Sequence, residues 1–174
     1  AVEGGGMYNW DNSNTTLENC TFTNNTADIG GGMYNDNSSD PTLTGCIFEN
    51  NPANGNGGGM YNYYSSPTLT NCTFTNNTTD GKGGGMVNYF DSYPTLTNCT
   101  FTNNTAENGG GMYNLYCYPT LTGCIFENNT ANGNGGGMYN WENSNPTLTN
   151  CTFIGNTAND SDRKSTRLNS SHVV

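Results

Sequence analysis

The hexapeptide Gly4-Gly5-Gly6-Met7-Tyr8-Asn9, GGGMYN, returns at 30, 57, 83, 109 and 135 with one change, Val87 in place of tyrosine, so the intervals are 26, 27, 26, 26 and 26 residues. A period of this size marks a solenoid, a propeller or an array. Outward from the hexapeptide, each unit runs through a variable loop, then (P)TLTxCxFxNN, then a short polar turn. The anchors keep phase. Methionine recurs as Met7, Met33, Met60, Met86, Met112 and Met138; leucine as Leu17, Leu43, Leu69, Leu96, Leu121 and Leu148. Cysteine follows as Cys20, Cys46, Cys72, Cys99, Cys124 and Cys151, and phenylalanine as Phe22, Phe48, Phe74, Phe101, Phe126 and Phe153.

Composition alone votes for disorder. Leu, Ile, Val and Phe make up 23 of 174 residues, about 13 %, below the roughly 20 % under which a charged chain is read as unfolded. The register overrules that vote, because stacked repeats gather sparse apolar residues into one continuous core that no single repeat could bury. The pieces between anchors are short and threonine-rich, Gly, Asn, Asp, Ser and Pro supply turns, and no stretch shows helical spacing. Propeller blades need about 40 residues and leucine-rich repeats more leucine. The spacing therefore predicts an all-β, right-handed, single-stranded parallel β-helix of about six coils of 26–27 residues, each with three short strands and three turns, about 29 Å long at ~4.8 Å per coil.

Within Cys-x-Phe the apolar residues share one face, as strand alternation requires. Leucine stands three before cysteine, an odd offset, so a bend must separate TLT from CTF; Gly45 and Gly123 occupy it in two coils and asparagine elsewhere. Stacking also lines up amides. Asn9, Asn35, Asn62, Asn88, Asn114 and Asn140 close the hexapeptide, and Asn25, Asn51, Asn77, Asn104, Asn129 and Asn156 stand three after phenylalanine. Both columns are expected to form asparagine ladders.

The formal charge is −10, yet residues 1–161 hold 13 acidic groups against Lys82 alone, since the other bases lie in the last dozen residues. Such a body repels nucleic acid and anionic membranes. No run of 18 apolar residues is present to span a bilayer. The chain opens inside a repeat without an initiator methionine or signal peptide, which reads as a fragment uncapped at both ends. Residues 1–159 are expected to form the repeat domain and 160–174 a non-native or disordered tail. Asp162 to His172, DRKSTRLNSSH, reads as a translated sequencing-library adapter.

The pairing of Gly5-Gly6-Met7 with Phe22 to Asn25, repeated through Phe48 to Asn51 and Phe74 to Asn77, resembles the repeats of polymorphic outer membrane proteins, autotransporter-type bacterial surface proteins. The fuller wording is similar to large surface proteins known only as right-handed β-helix repeat proteins. The resemblance covers residues 4–159 and implies export, an outer-membrane-associated cell-surface location and no catalytic residues. Host-surface, matrix or glycan ligands would be the partners, with no nucleic acid, no cofactor and no direct membrane insertion.

Candidate chemistry is sparse. The six-cysteine column reads as buried free thiols, because parallel Cβ vectors aim the sulfurs poorly for bonding; Cys117, in a loop, is expected to be exposed and reactive. No CxxC pair supports zinc. Asp80 and Glu107 align on neighbouring coils near Lys82 and are the candidate hydrolytic or calcium pair, against a reading as two solvated turn residues. Glu49 and Glu127 share a position three coils apart, too far to act together. Outward threonines flank leucine in five coils, Thr42 with Thr44 through Thr147 with Thr149, an array resembling ice-binding faces or simply a solvated strand surface. Tyr8, Tyr34, Tyr61, Tyr113 and Tyr139 point outward, with Trp10, Tyr63, Tyr89 and Trp141 two residues on. This strip either stacks on sugar rings or packs under the loops at 10–14, 36–40, 63–66, 89–93, 115–118 and 141–145.

The expected function is a non-enzymatic surface passenger, structural or adhesin-like, displaying those loops. The alternatives are a carbohydrate-binding or carbohydrate-active β-helix, an ice-binding protein, and a fibre subunit that stacks end to end.

Overall fold

The computed structural model describes residues 1–159; the tail and its adapter-like stretch lie outside the described residues. Four parallel sheets of six strands each wrap one solenoid. The first takes Met7–Trp10 and its copies at Met33–Asp36, Met60–Tyr63, Met86–Tyr89, Met112–Leu115 and Met138–Trp141. The second is built from the TLT segments (Thr16–Glu18 to Thr147–Thr149) and the third from the segments after cysteine (Thr21–Thr23 to Thr152–Ile154).

The fourth sheet corrects the expectation of three strands per coil. It runs from Ala27–Ile29 through Pro52–Asn56 to Thr157–Ala158, where the sequence reads as a polar turn. Its strands are mostly two residues long, so alternation is not visible, but in four coils one inward residue (Ala27, Ala53, Ala106, Ala131) is buried. In the third coil Thr79 takes that place and donates its hydroxyl to the Gly55 carbonyl at 2.8 Å.

Registers are strict: Met7 pairs with Met33, Leu69 with Leu96 and Phe74 with Phe101. Identical residues therefore sit over one another, and each column meets itself. The phenylalanines form a stack with centroids 4.7 Å apart and planes within 2–4° in all five steps. Each pair adds about 0.5–1.5 kcal/mol beyond burial. With Met, Leu and Cys they make the interior core.

The two asparagines after phenylalanine divide the work at the next corner. The first takes the left-handed conformation (φ 53–56° from Asn24 to Asn128), which asparagine tolerates and most side chains do not. The second turns inward: Asn51 accepts at Oδ1 from the Asn25 backbone and side-chain N–H groups, and donates Nδ2 to Asn77 Oδ1 at 3.0 Å and to the Phe22 carbonyl at 2.9 Å. The bend between TLT and CTF is left-handed at Asn19, Gly45, Asn71, Asn98, Gly123 and Asn150. In the first sheet, Asn35, Asn62, Asn88 and Asn114 each pass an Nδ2 hydrogen bond of 2.8–2.9 Å to the next Oδ1. Buried amides left unpaired would cost about 1–3 kcal/mol each; the ladders pair them for as long as the repeat is kept.

The glycine triplet has a steric reason. A Cβ on Gly58 would stand 2.6 Å from both the Gly84 and the Thr78 carbonyl oxygens. Backbone from two coils meets backbone from the neighbouring corner there, leaving no room for a side chain.

Candidate functional site

Outside the first sheet lies a second, smaller apolar cluster. Tyr34, Tyr61, Val87, Tyr113 and Leu115 are buried, with Ile29, Tyr63, Tyr89, Phe90 and Tyr139 packed on them. The outward strip of tyrosines is thus mostly covered, and the reading of it as an open row of rings for sugar stacking is corrected. Only Tyr8, Trp10 and Trp141 of that strip are exposed. The cause is the loops, which fold back over the sheet, together with rings that stack on their neighbours, such as Tyr8 on Tyr34 at 5.1 Å. Burial pushes the Tyr34, Tyr61 and Tyr113 hydroxyls well above the usual phenol value, Tyr34 being raised further by Asp36.

Each loop crosses a left-handed position directly after the first-sheet strand. In the outer coils it holds Asp11, Asn37 and Glu142; in the three middle coils it holds Tyr64 (φ 47°), Phe90 (φ 42°) and Tyr116 (φ 50°). Bulky side chains there work against a penalty of about 1–2 kcal/mol each. The three rings stack, Tyr64 on Phe90 at 6.1 Å and Phe90 on Tyr116 at 5.4 Å, into a ridge along the rod. Tyr93 and Tyr118 form a second stacked pair beside it, both exposed. The Asp91 carboxylate accepts the Tyr93 hydroxyl at 2.6 Å and, with burial, pushes that phenol up to about 12.

Beneath the ridge runs a column that sequence reasoning missed: Ser13, Ser39, Ser65, Ser92, Cys117 and Ser144. The Ser39 backbone N–H donates to Ser65 Oγ at 3.2 Å, Ser65 to Ser92 at 3.1 Å and Cys117 to Ser144 at 3.3 Å. Every member stands four residues before the core leucine, a constancy hidden when the loop is measured from methionine, because the loops differ in length on that side. Cys117 is accordingly not the exposed thiol expected from its loop position. It is fully buried, its Sγ donates to the Asn88 carbonyl at 3.4 Å, and desolvation lifts it to about 11. All seven cysteines are free.

Asp80 and Glu107 stand in the same corner of neighbouring coils. The ladder aligns Lys82 with Asn56 and Asn108, and the Glu107 N–H donates to the Gly81 carbonyl at 2.8 Å. That corner is one residue longer at Asp80 and Gly81 than at Glu107, and both carboxylates are exposed. Among the described residues no group of three or more His, Cys, Asp or Glu gathers to hold a metal. Lys82 lays its ammonium over the Tyr113 ring at 5.1 Å and the Tyr89 ring at 5.6 Å. It borders a groove of about 300 Å³ lined also by Asn108, Leu115, Tyr139, Trp141 and Glu142. The Glu142 carboxylate accepts from the Tyr116 hydroxyl and then the Trp141 indole, which lowers its pKa.

The threonines of the second sheet are solvent-facing in register, Thr95 between Thr68 and Thr120. Glu49 and Glu127 lie on the third sheet with Thr75 and Thr102 between them.

Comparison with known families agrees with this geometry. The model of the right-handed β-helix region matches residues 2–100, and that of the Chlamydia polymorphic membrane protein repeat matches residues 123–139, the span containing Phe126 to Asn129 and Gly135 to Met138. No curated protein and no solved structure matches the chain significantly. With more than half its length under the first model and four parallel sheets in a continuous coil, the chain belongs to the right-handed β-helix family.

Proposed function

We propose that this β-helix is a non-enzymatic cell-surface passenger whose loop face over the first sheet recognises a partner, an adhesin-like role on a bacterial surface. The observation that carries it is the ridge of Tyr64, Phe90 and Tyr116. Three aromatic residues occupy a backbone conformation that the outer coils give mainly to Asp and Asn, and strain kept against local preference is characteristic of functional positions. The ridge is rich in tyrosine, adaptable in its hydroxyls and fixed on a rigid rod, the composition and mounting of a recognition surface. The polymorphic membrane protein repeat supports a surface location. Residues 1–159 contain no histidine, no arginine and one lysine, which leaves little for acid–base or nucleophilic catalysis.

The test is binding of the fluorescently labelled chain to cultured epithelial cells. The double variant Phe90→Asn with Tyr116→Asn should bind at least tenfold more weakly, while Thr95→Lys, on the second sheet, should bind like the parent chain. Undiminished binding of the double variant would remove the ridge from the function.

A further inference from the structure

The groove beside Lys82 combines features that the rod itself does not require. Lys82 is the only lysine or arginine in residues 1–159, which carry 12 acidic side chains. A lone cation in so acidic a body would be expected against a carboxylate. It lies instead across two tyrosine faces, and among the described residues it forms no ion pair. Ring faces hold an ammonium without using up its N–H donors for an anion, and they exclude part of its water, so a charge-assisted hydrogen bond made there is stronger than one made in solvent.

Other groups point into the same chemistry. Asn108 Oδ1 already accepts from the Asn134 backbone and side-chain N–H groups, which leaves its Nδ2 donors for a ligand. Glu142 keeps acceptor capacity beyond its Tyr116 and Trp141 donors. Trp141 is 44 % exposed, and its ring neighbour Tyr139 meets it at 77°, so among the described residues no parallel ring covers the indole. At about 300 Å³ the groove sits at the small end of ligand sites, sized for one ring and not for a chain.

We propose that this groove binds a single carboxylated sugar unit, with the carboxylate on the Lys82 ammonium, the pyranose ring on Trp141, and hydroxyls shared between Asn108 and Glu142. The inference rests on the loop face being a recognition surface and names one class of ligand for it. One cation suits one carboxylate. A polyuronate would bring further negative charges against an acidic rod and is disfavoured by long-range repulsion.

The chain holds two tryptophans, so Trp10→Phe leaves Trp141 as the sole indole reporter in the full chain. Titration of its fluorescence with glucuronate should give a saturable change, with glucose and a polyuronate each at least tenfold weaker. Lys82→Met, which keeps the side-chain stem, should weaken glucuronate at least tenfold, and Lys82→Arg should restore most of it. Circular dichroism of each variant separates lost binding from lost fold. Equal affinity for glucose and glucuronate would make this a neutral-sugar site and overturn the proposal. So would an unaltered titration with Lys82→Met, or a silent Trp141. Cell binding is read separately on the ridge variants: a chain that binds glucuronate but no cells refutes the surface role alone, and one that binds cells but no glucuronate refutes the groove alone.

Discussion

The inside of the coil and the loop face over the first sheet obey different rules, although each lies within a few residues of the same methionine. Inside, every coil repeats the same residue at the same place, and local preference agrees with global packing: Asn or Gly where φ is positive, Phe over Phe, an amide beneath each amide. On the loop face the residues differ from coil to coil, and three of them contradict local preference outright. The lesson is about what repetition can carry. A residue whose neighbours are its own copies is fixed by the period; a residue that must meet something else is not.

The sharpest way to break the comparison is to remove one side chain of similar size from each region. Phe74 is fully buried and stacked on both faces, so Phe74→Ala should cost about 3–5 kcal/mol in urea unfolding, the lost transfer energy plus a cavity that two flanking rings cannot close. Tyr93 is 41 % exposed with one stacked neighbour and a hydrogen bond to Asp91, so Tyr93→Ala should cost less, about 1–2 kcal/mol. Similar losses at the two sites would erase the distinction.

Alkaline pH probes the boundary between the regions. Tyr34, Tyr61 and Tyr113 have their phenols raised mainly by burial. The folded chain therefore keeps protons that the unfolded chain releases near pH 10. The sign follows: their contribution is complete below about pH 10 and falls as pH rises, by up to about 1.4 kcal/mol per pH unit for each tyrosine. Unfolding midpoints at pH 9 and pH 11, set beside the ultraviolet absorbance of ionised tyrosine, would measure it. If these phenols ionise while the far-ultraviolet spectrum is still native, the second cluster is open to water.

The contrast also explains what was legible in the sequence. The methionine, leucine, cysteine and phenylalanine columns were readable because their spacing is the fold, and the two asparagine ladders because stacking pairs each amide with its own copy. The fourth sheet was not, since Thr78–Thr79 and Thr105–Ala106 are too short to show alternation. The serine column escaped because loop length varies before it and not after it. Cys117 looked exposed because its place in that column cannot be seen without the alignment. Lys82 over Tyr89 and Tyr113 depends on three different positions in two coils and leaves no trace in any repeat.

The smallest expected effect is the most informative. Tyr116→Asn replaces a strained aromatic with the residue that the outer coils favour at the left-handed position, recovering about 1–2 kcal/mol of backbone preference. It loses the stack on Phe90 at 5.4 Å, worth roughly 0.5–1.5 kcal/mol, and its contact with the Glu142 carboxylate. The terms nearly cancel, so the denaturation midpoint should stay level or rise slightly, by about 1 kcal/mol at most, while partner binding falls. That combination is what a residue selected for recognition predicts. A loss of more than about 1 kcal/mol would mean instead that the ridge holds the loops in place, and the loop face would then follow the same packing rule as the interior.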